Sequence, residues 1–83
     1  MPGYHDGNVE TYYNASSHFM AGEWTLDDEG FYRDSEGRYV IGVSVSRIDE
    51  MPYGTVVDTG KGEGVVFDYG YGYSNVHDFA VAW

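Results

Sequence analysis

Two aspartates, Asp68 and Asp78, are the residues of this 83-residue chain best placed for chemistry. Each is carried by a short, largely apolar segment: Val65-Val66-Phe67-Asp68-Tyr69-Gly70, and then Val76-His77-Asp78-Phe79-Ala80-Val81-Ala82-Trp83. If the second segment is a strand, its alternation puts His77, Phe79, Val81 and Trp83 on one face and Val76, Asp78, Ala80 and Ala82 on the other. The heavy face is the expected core, and it leaves Asp78 among small neighbours, within reach of water or a ligand. Between the two segments, Tyr69, Tyr71 and Tyr73 alternate with glycines and can offer rings to a ligand. His77 has no second histidine at a metal-ligand spacing and is expected to pack or bond locally. The glycines around Lys61 lack the strand-to-helix setting and the Lys-Ser/Thr ending of a phosphate loop. Neither a metal nor a cofactor is expected.

The elements that must position these groups read as strands. Valine, tyrosine and threonine recur in short runs among 12 glycines and only 2 prolines, a composition of many turns and few helices. Residues 1–8 are expected to be a frayed lead or a turn, residues 9–14 a strand, and residues 15–21 at most one short helical turn. Two blocks follow, each a strand closed by an acidic turn whose glycine supplies a positive φ: Asp27-Asp28-Glu29-Gly30 and Ser35-Glu36-Gly37-Arg38. Their carboxylates do not follow the calcium-loop spacing of an EF-hand, so solvated turns are expected. Residues 39–46 form the clearest interior strand, with Tyr39, Ile41, Val43 and Val45 on one face and Val40, Gly42, Ser44 and Ser46 on the other, Gly42 leaving room for another backbone to approach closely where strands cross. Residues 56–58 and 64–67 add short strands. The reading is an all-β or β-rich chain, a single small domain built as a six-stranded barrel, with residues 39–83 as its core.

Composition limits function. Eighty-three residues support one modest core, and the absence of cysteine removes disulfides and thiolate metal sites. No apolar run is long enough to span a membrane, and the first residues lack the basic start and apolar stretch of a secretory signal, so the expected location is the cytoplasm. A cell-envelope location is the alternative if a signal was removed. Fourteen acidic residues against four Lys and Arg give a formal net charge of −10. Such a chain repels phosphate backbones and anionic membranes and attracts basic surfaces, which argues against direct nucleic-acid or membrane binding. One functional expectation is therefore a non-enzymatic acidic binding protein, for example a phage or mobile-element inhibitor that occupies the basic groove of a nucleic-acid enzyme. Asp27, Asp28, Glu29, Asp34, Glu36, Asp49 and Glu50 would then face the partner's cations, with tyrosines as anchors.

The second half of the chain also carries a pattern. Met51-Pro52-Tyr53-Gly54-Thr55 follows a strand, Val65-Val66-Phe67-Asp68-Tyr69-Gly70 comes next, and Val76-His77-Asp78-Phe79 closes. In order and spacing this resembles the 3D domain, named for three aspartates and related to the double-psi β-barrel of lytic transglycosylase A. The likeness covers residues 39–83. Asp68 matches the second aspartate and Asp78 the third, while Arg47 stands where the first would be and Tyr69 replaces a threonine. The family's cysteines are missing as well.

The resemblance implies a peptidoglycan-active or glycan-binding barrel as the alternative function. In it Asp78 would be the general acid that protonates the glycosidic oxygen and then the base that takes the muramyl hydroxyl proton. That role needs a carboxyl held partly protonated near neutral pH, which burial or the neighbouring Asp68 can supply. Tyr69, Tyr71 and Tyr73 would stack sugars. The plain structural reading is that Asp68 and Asp78 bond backbone amides at crossing loops.

Overall fold

A computed structural model describes residues 3–16 and 23–83. The described strands are β1 (Gly3–His5), β2 (Asn8–Asn14), β3 (Trp24–Leu26), β4 (Tyr32–Asp34), β5 (Tyr39–Ser44), β6 (Val56–Thr59), β7 (Gly62–Gly70) and β8 (Val76–Val81), with one 3-10 turn at Val45–Arg47. The β-rich small domain expected from composition is what the structure shows. The helical turn expected over residues 15–21 lies mostly outside the described residues.

The strands form one open, mixed sheet organised on β5. One edge of β5 takes β7 in parallel, and β6 follows antiparallel to β7. The other edge is shared: Tyr39 bridges to Arg33 of β4, while Ile41 and Gly42 pair with Phe79 and Asp78 of β8. Beyond β8 come β2, in parallel, and β1. A path β1-β2-β8-β5-β7-β6 thus supplies the six strands of the expected barrel. Its end strands share no backbone ladder among the described residues, so the sheet is open where a closed barrel was expected. With only three residues in β1 and four in β6, the seam is spanned by side chains instead.

Three local differences from the sequence reading have simple causes. Gly3–His5 pair with β2 through a two-residue hairpin at Asp6-Gly7, whose positive φ values of 48° and 82° are those that an Asp-Gly turn adopts. The strand expected over residues 39–46 stops at Ser44, whose hydroxyl accepts the Ser46 amide at 3.2 Å and caps the 3-10 turn. Val45 is therefore exposed instead of buried. Trp83 lies beyond the end of β8 and is 60% exposed, its ring lying over Tyr12 and Phe31 while its indole N–H donates to the Glu29 carbonyl at 3.0 Å.

Apolar residues bury on both faces of the sheet, as alternation requires for a strand like β5 that is covered twice. One cluster joins Phe31, Ile41, Val43, Met51, Val66, Phe79 and Val81; the other joins Ala15, Tyr32, Val40, Val65 and Ala80. Full burial of Phe79, Ile41, Val66 and Val81 contributes about 1.5–3 kcal/mol each. The acidic turns repeat one device seven residues apart. Asp27 Oδ1 accepts the Glu29 and Phe31 amides, each at 2.9 Å, and Asp34 Oδ1 accepts those of Glu36 and Arg38 at 3.0 and 2.7 Å. Gly30 and Gly37, at φ of 86° and 81°, complete the two turns.

Candidate functional site

A single irregularity in the β5–β7 pairing builds the site. Val40 and Ile41 pair with Val65 and Val66, but Gly42 pairs with Asp68, so Phe67 is an extra residue in β7. Such a bulge turns the residues beyond it onto the opposite face. Without it Asp68 would share the face of Ile41 and Val66; with it Asp68 shares the face of Gly42. From the other side, Asp78 of β8 pairs with both Gly42 and Thr11. The result is a row across four strands, Thr11, Asp78, Gly42 and Asp68, all on one face. At roughly 4.8 Å per strand, the two aspartate backbones stand about 10 Å apart, and the residue between them has no side chain.

Asp78, Gly42 and Asp68 of this row floor an open cleft of about 360 Å³, which Tyr13, Tyr71 and Tyr73 also line. Its hydrogen bonds distinguish the two carboxylates. Asp68 accepts the Tyr13 hydroxyl on Oδ2 at 2.7 Å and the Tyr69 amide on Oδ1 at 2.9 Å. Asp78 accepts the Thr11 hydroxyl on Oδ1 at 2.7 Å. Burial pushes the Asp78 carboxyl above its ordinary value, the Thr11 bond pulls it partly back, and the charge of Asp68 pushes it up again. Burial and the bond to Asp68 likewise raise the Tyr13 phenol, keeping it a donor. The arrangement is a braced carboxylate beside a second carboxyl whose proton is retained to higher pH, the pairing that proton transfer uses.

The three tyrosines divide. Tyr71 and Tyr73 are 98% and 83% exposed on the loop between β7 and β8, at the cleft. Tyr69 also lines the cleft but packs against the core: its hydroxyl donates to the Met51 carbonyl at 2.6 Å, and its ring centroid lies 4.8 Å from that of Tyr53. The loop is tied down by Arg47, whose Nη1 donates to the Ser74 carbonyl at 3.0 Å while its Nε bonds Glu50 at 2.7 Å.

The acidic residues grouped by the sequence do not form one cluster of equivalent charges. Asp27 and Asp34 hold their turns and also bind Arg33 and Arg38. Burial works against the Asp27 charge, but the Phe31 amide, the Arg33 guanidinium and the Glu29 amide hold its carboxyl below the ordinary value. Asp28 and Glu29 are exposed in the turn before β4 and Glu36 in the turn after it, so the three sit at opposite ends of that strand, roughly 10 Å of chain apart. Asp49 is exposed, and Glu50 is exposed in its bond to Arg47. Of the chain's four basic side chains, the remaining one, Lys61, lies over the Phe31, Tyr12 and Phe79 rings at 5.1, 5.7 and 5.9 Å.

Several residues escaped the sequence reading. Thr11 and Tyr13 looked like ordinary strand residues, because nothing local announces that β2 runs parallel to β8. Buried Glu10 accepts the Gly60 amide at 2.7 Å, and His5 meets Asp58 at 2.8 Å, both across the seam. His77 is buried as expected; burial and the Arg47 charge lower its pKa, and its Nδ1 finds no hydrogen-bond partner among the described residues. Comparison of the chain with protein-family models, with curated proteins and with solved structures finds no match.

Proposed function

We propose that the Asp68–Asp78 cleft is a glycan site and that Asp78 is its acid and base. The observation that carries this reading is the convergence of Asp68 and Asp78 on the side-chain-free floor at Gly42, beside the exposed rings of Tyr71 and Tyr73. Sugars suit such a place because carboxylates accept hydroxyl protons while aromatic rings cover the apolar face of the pyranose. The likeness of residues 39–83 to the 3D domain favours peptidoglycan as the polymer. In the corresponding reaction, the Asp78 proton goes to the glycosidic oxygen as its bond to C1 of the muramyl residue breaks. The 6-hydroxyl of that residue then closes onto C1, and its proton returns to Asp78, so that no water is consumed. Asp68, braced by Tyr13 and the Tyr69 amide, would supply the fixed charge that favours the protonated form of Asp78.

The test is incubation with purified sacculi. The expected result is co-sedimentation that weakens in a Tyr71→Ala/Tyr73→Ala variant, together with anhydromuramyl products that vanish in Asp78→Asn. Sedimentation without products would reduce the reading to glycan binding, with Asp78 as a hydroxyl acceptor. Neither sedimentation nor products would overturn it.

A second reading, an acidic surface that engages a basic partner such as a nucleic-acid enzyme, draws on a different observation. All four Lys and Arg side chains are engaged within the chain, and among the described residues the exposed carboxylates of Asp28, Glu29, Glu36 and Asp49 form no ion pair. Capture of a basic protein at low salt, lost at high salt and in charge-neutralised variants of those four residues, would favour it; indifference to salt would count against it.

A further inference from the structure

The outermost strands of the six-strand path, β1 and β6, meet without a backbone ladder, and polar side chains bridge the gap. We propose that His5, Asp6 and Asp58 form a site for a divalent transition-metal ion of the zinc class, and that the ion clasps this seam. The donors come from the β1–β2 hairpin and from β6, more than 50 residues apart in sequence. His5 Nε2 lies 2.8 Å from Asp58 Oδ2 and 3.3 Å from Asp6 Oδ2, and the three ligand atoms lie within 4.8 Å of one another. Ligands held roughly 2.0–2.2 Å from a tetrahedral zinc ion stand about 3.3–3.6 Å apart, so these donors need only modest shifts to surround one.

The donor chemistry selects the ion class. An imidazole with two carboxylates suits zinc and its first-row neighbours, whereas calcium and magnesium take oxygen ligands. Three protein ligands leave a coordination position for water, and the exposed Asp6 and Asp58 leave an entry path. Charge supplies the drive. Two carboxylates lie together here in a chain already at −10, and a cation held between them is favoured by both charges. The bond of His5 to Asp58, opposed by burial and helped by the charges of Asp6, Asp58 and Glu10, raises its pKa. A metal ion at His5 would compete with a proton there and place positive charge beside both carboxylates. Among the described residues, Glu10 and, on β8 beside it, His77 also interact with His5; both are buried.

The experiment titrates zinc into the chelator-stripped chain by calorimetry and follows Tm in parallel. The expected result is one saturable site, with Tm raised by roughly 10–20 °C at about a hundredfold excess over Kd. Affinity falls as pH is lowered from about 7.5 to 5.5, because protons compete for His5. Loss of a mere supporting partner weakens metal sites about 10–100-fold, so His5→Gln and Asp58→Asn should each cost at least about tenfold. Both positions are at the surface, and circular dichroism establishes that the variants fold. An Asp68→Asn/Asp78→Asn chain keeps the native zinc affinity. The proposal is overturned if the native chain shows no saturable binding, if His5→Gln and Asp58→Asn bind as the native chain does, or if the loss appears only in Asp68→Asn/Asp78→Asn.

Discussion

Replacing Gly42 by alanine separates the stability of the cleft floor from its function. A Cβ at position 42 would lie 3.6 Å from the Asp68 Cβ, 3.6 Å from the Tyr13 hydroxyl and 3.7 Å from the Asp68 carbonyl oxygen. These are ordinary van der Waals distances, and Gly42 is absent from the positive-φ positions, so the backbone accepts alanine without strain. Alanine in a strand interior is favoured over glycine by roughly 0.5–1 kcal/mol, which for a domain of this size corresponds to a Tm increase of about 2–8 °C. The same methyl projects onto the floor between the two carboxylates, where a sugar ring would rest. Overpacking by one methyl costs about 1–3 kcal/mol, or roughly 5–150-fold in affinity for sacculi or soluble glycan fragments. Calorimetric Tm and glycan binding, measured on one preparation, should therefore move in opposite senses. A Gly42→Ala chain that binds glycan as well as the native chain would refute the placement of the sugar over Gly42. One that unfolds several degrees early would refute the geometry of the floor itself.

Other perturbations have definite signs. Asp78 has a folded-state pKa above its unfolded value, so the stability linked to its proton is complete below the unfolded pKa and is lost as pH rises through the folded one. Asp78→Asn should consequently raise Tm at neutral pH, with the gain shrinking to nothing in acid below the ordinary aspartate range; a loss of stability at neutral pH would contradict this. Asp27 has the opposite shift, and its contribution is present above the unfolded value and disappears as pH falls through its lowered one, so Asp27→Asn should lower Tm at neutral pH and flatten the acid limb of the stability profile. In Gly60→Ala the new Cβ would stand 2.7 Å from Glu10 Oε1, displacing the carboxylate that accepts the Gly60 amide. Disturbing that buried bond should cost about 1–3 kcal/mol in chemical denaturation, and an unchanged midpoint would show that Glu10 does not hold the seam.

Alternation was sufficient to read β8: Phe79 and Val81 are buried on one face, and Asp78 lies with Ala80 on the other. It failed at Trp83 and Val45, because period two holds only while the ladder lasts and both residues lie beyond a strand end. The carboxylates of the cleft were legible as candidates, but their meeting was not. It depends on the Phe67 bulge and on two parallel pairings between strands far apart in sequence, neither of which leaves a local mark. In the acidic run of residues 27–36 the turns were legible from their glycines, but not that Asp27 and Asp34 serve as the turn acceptors at the two ends of β4. The Asp6-Gly7 hairpin was available from its dipeptide alone and was obscured by its place at the start of the chain.

The most direct test of the glycan reading is an NMR titration of the chain with a soluble peptidoglycan tetrasaccharide, following each backbone amide. The account predicts saturable shifts concentrated at Gly42, Asp68, Tyr71, Tyr73 and Asp78. Shifts absent from those residues at millimolar saccharide, or confined to Asp28, Glu36 and Asp49, would contradict it.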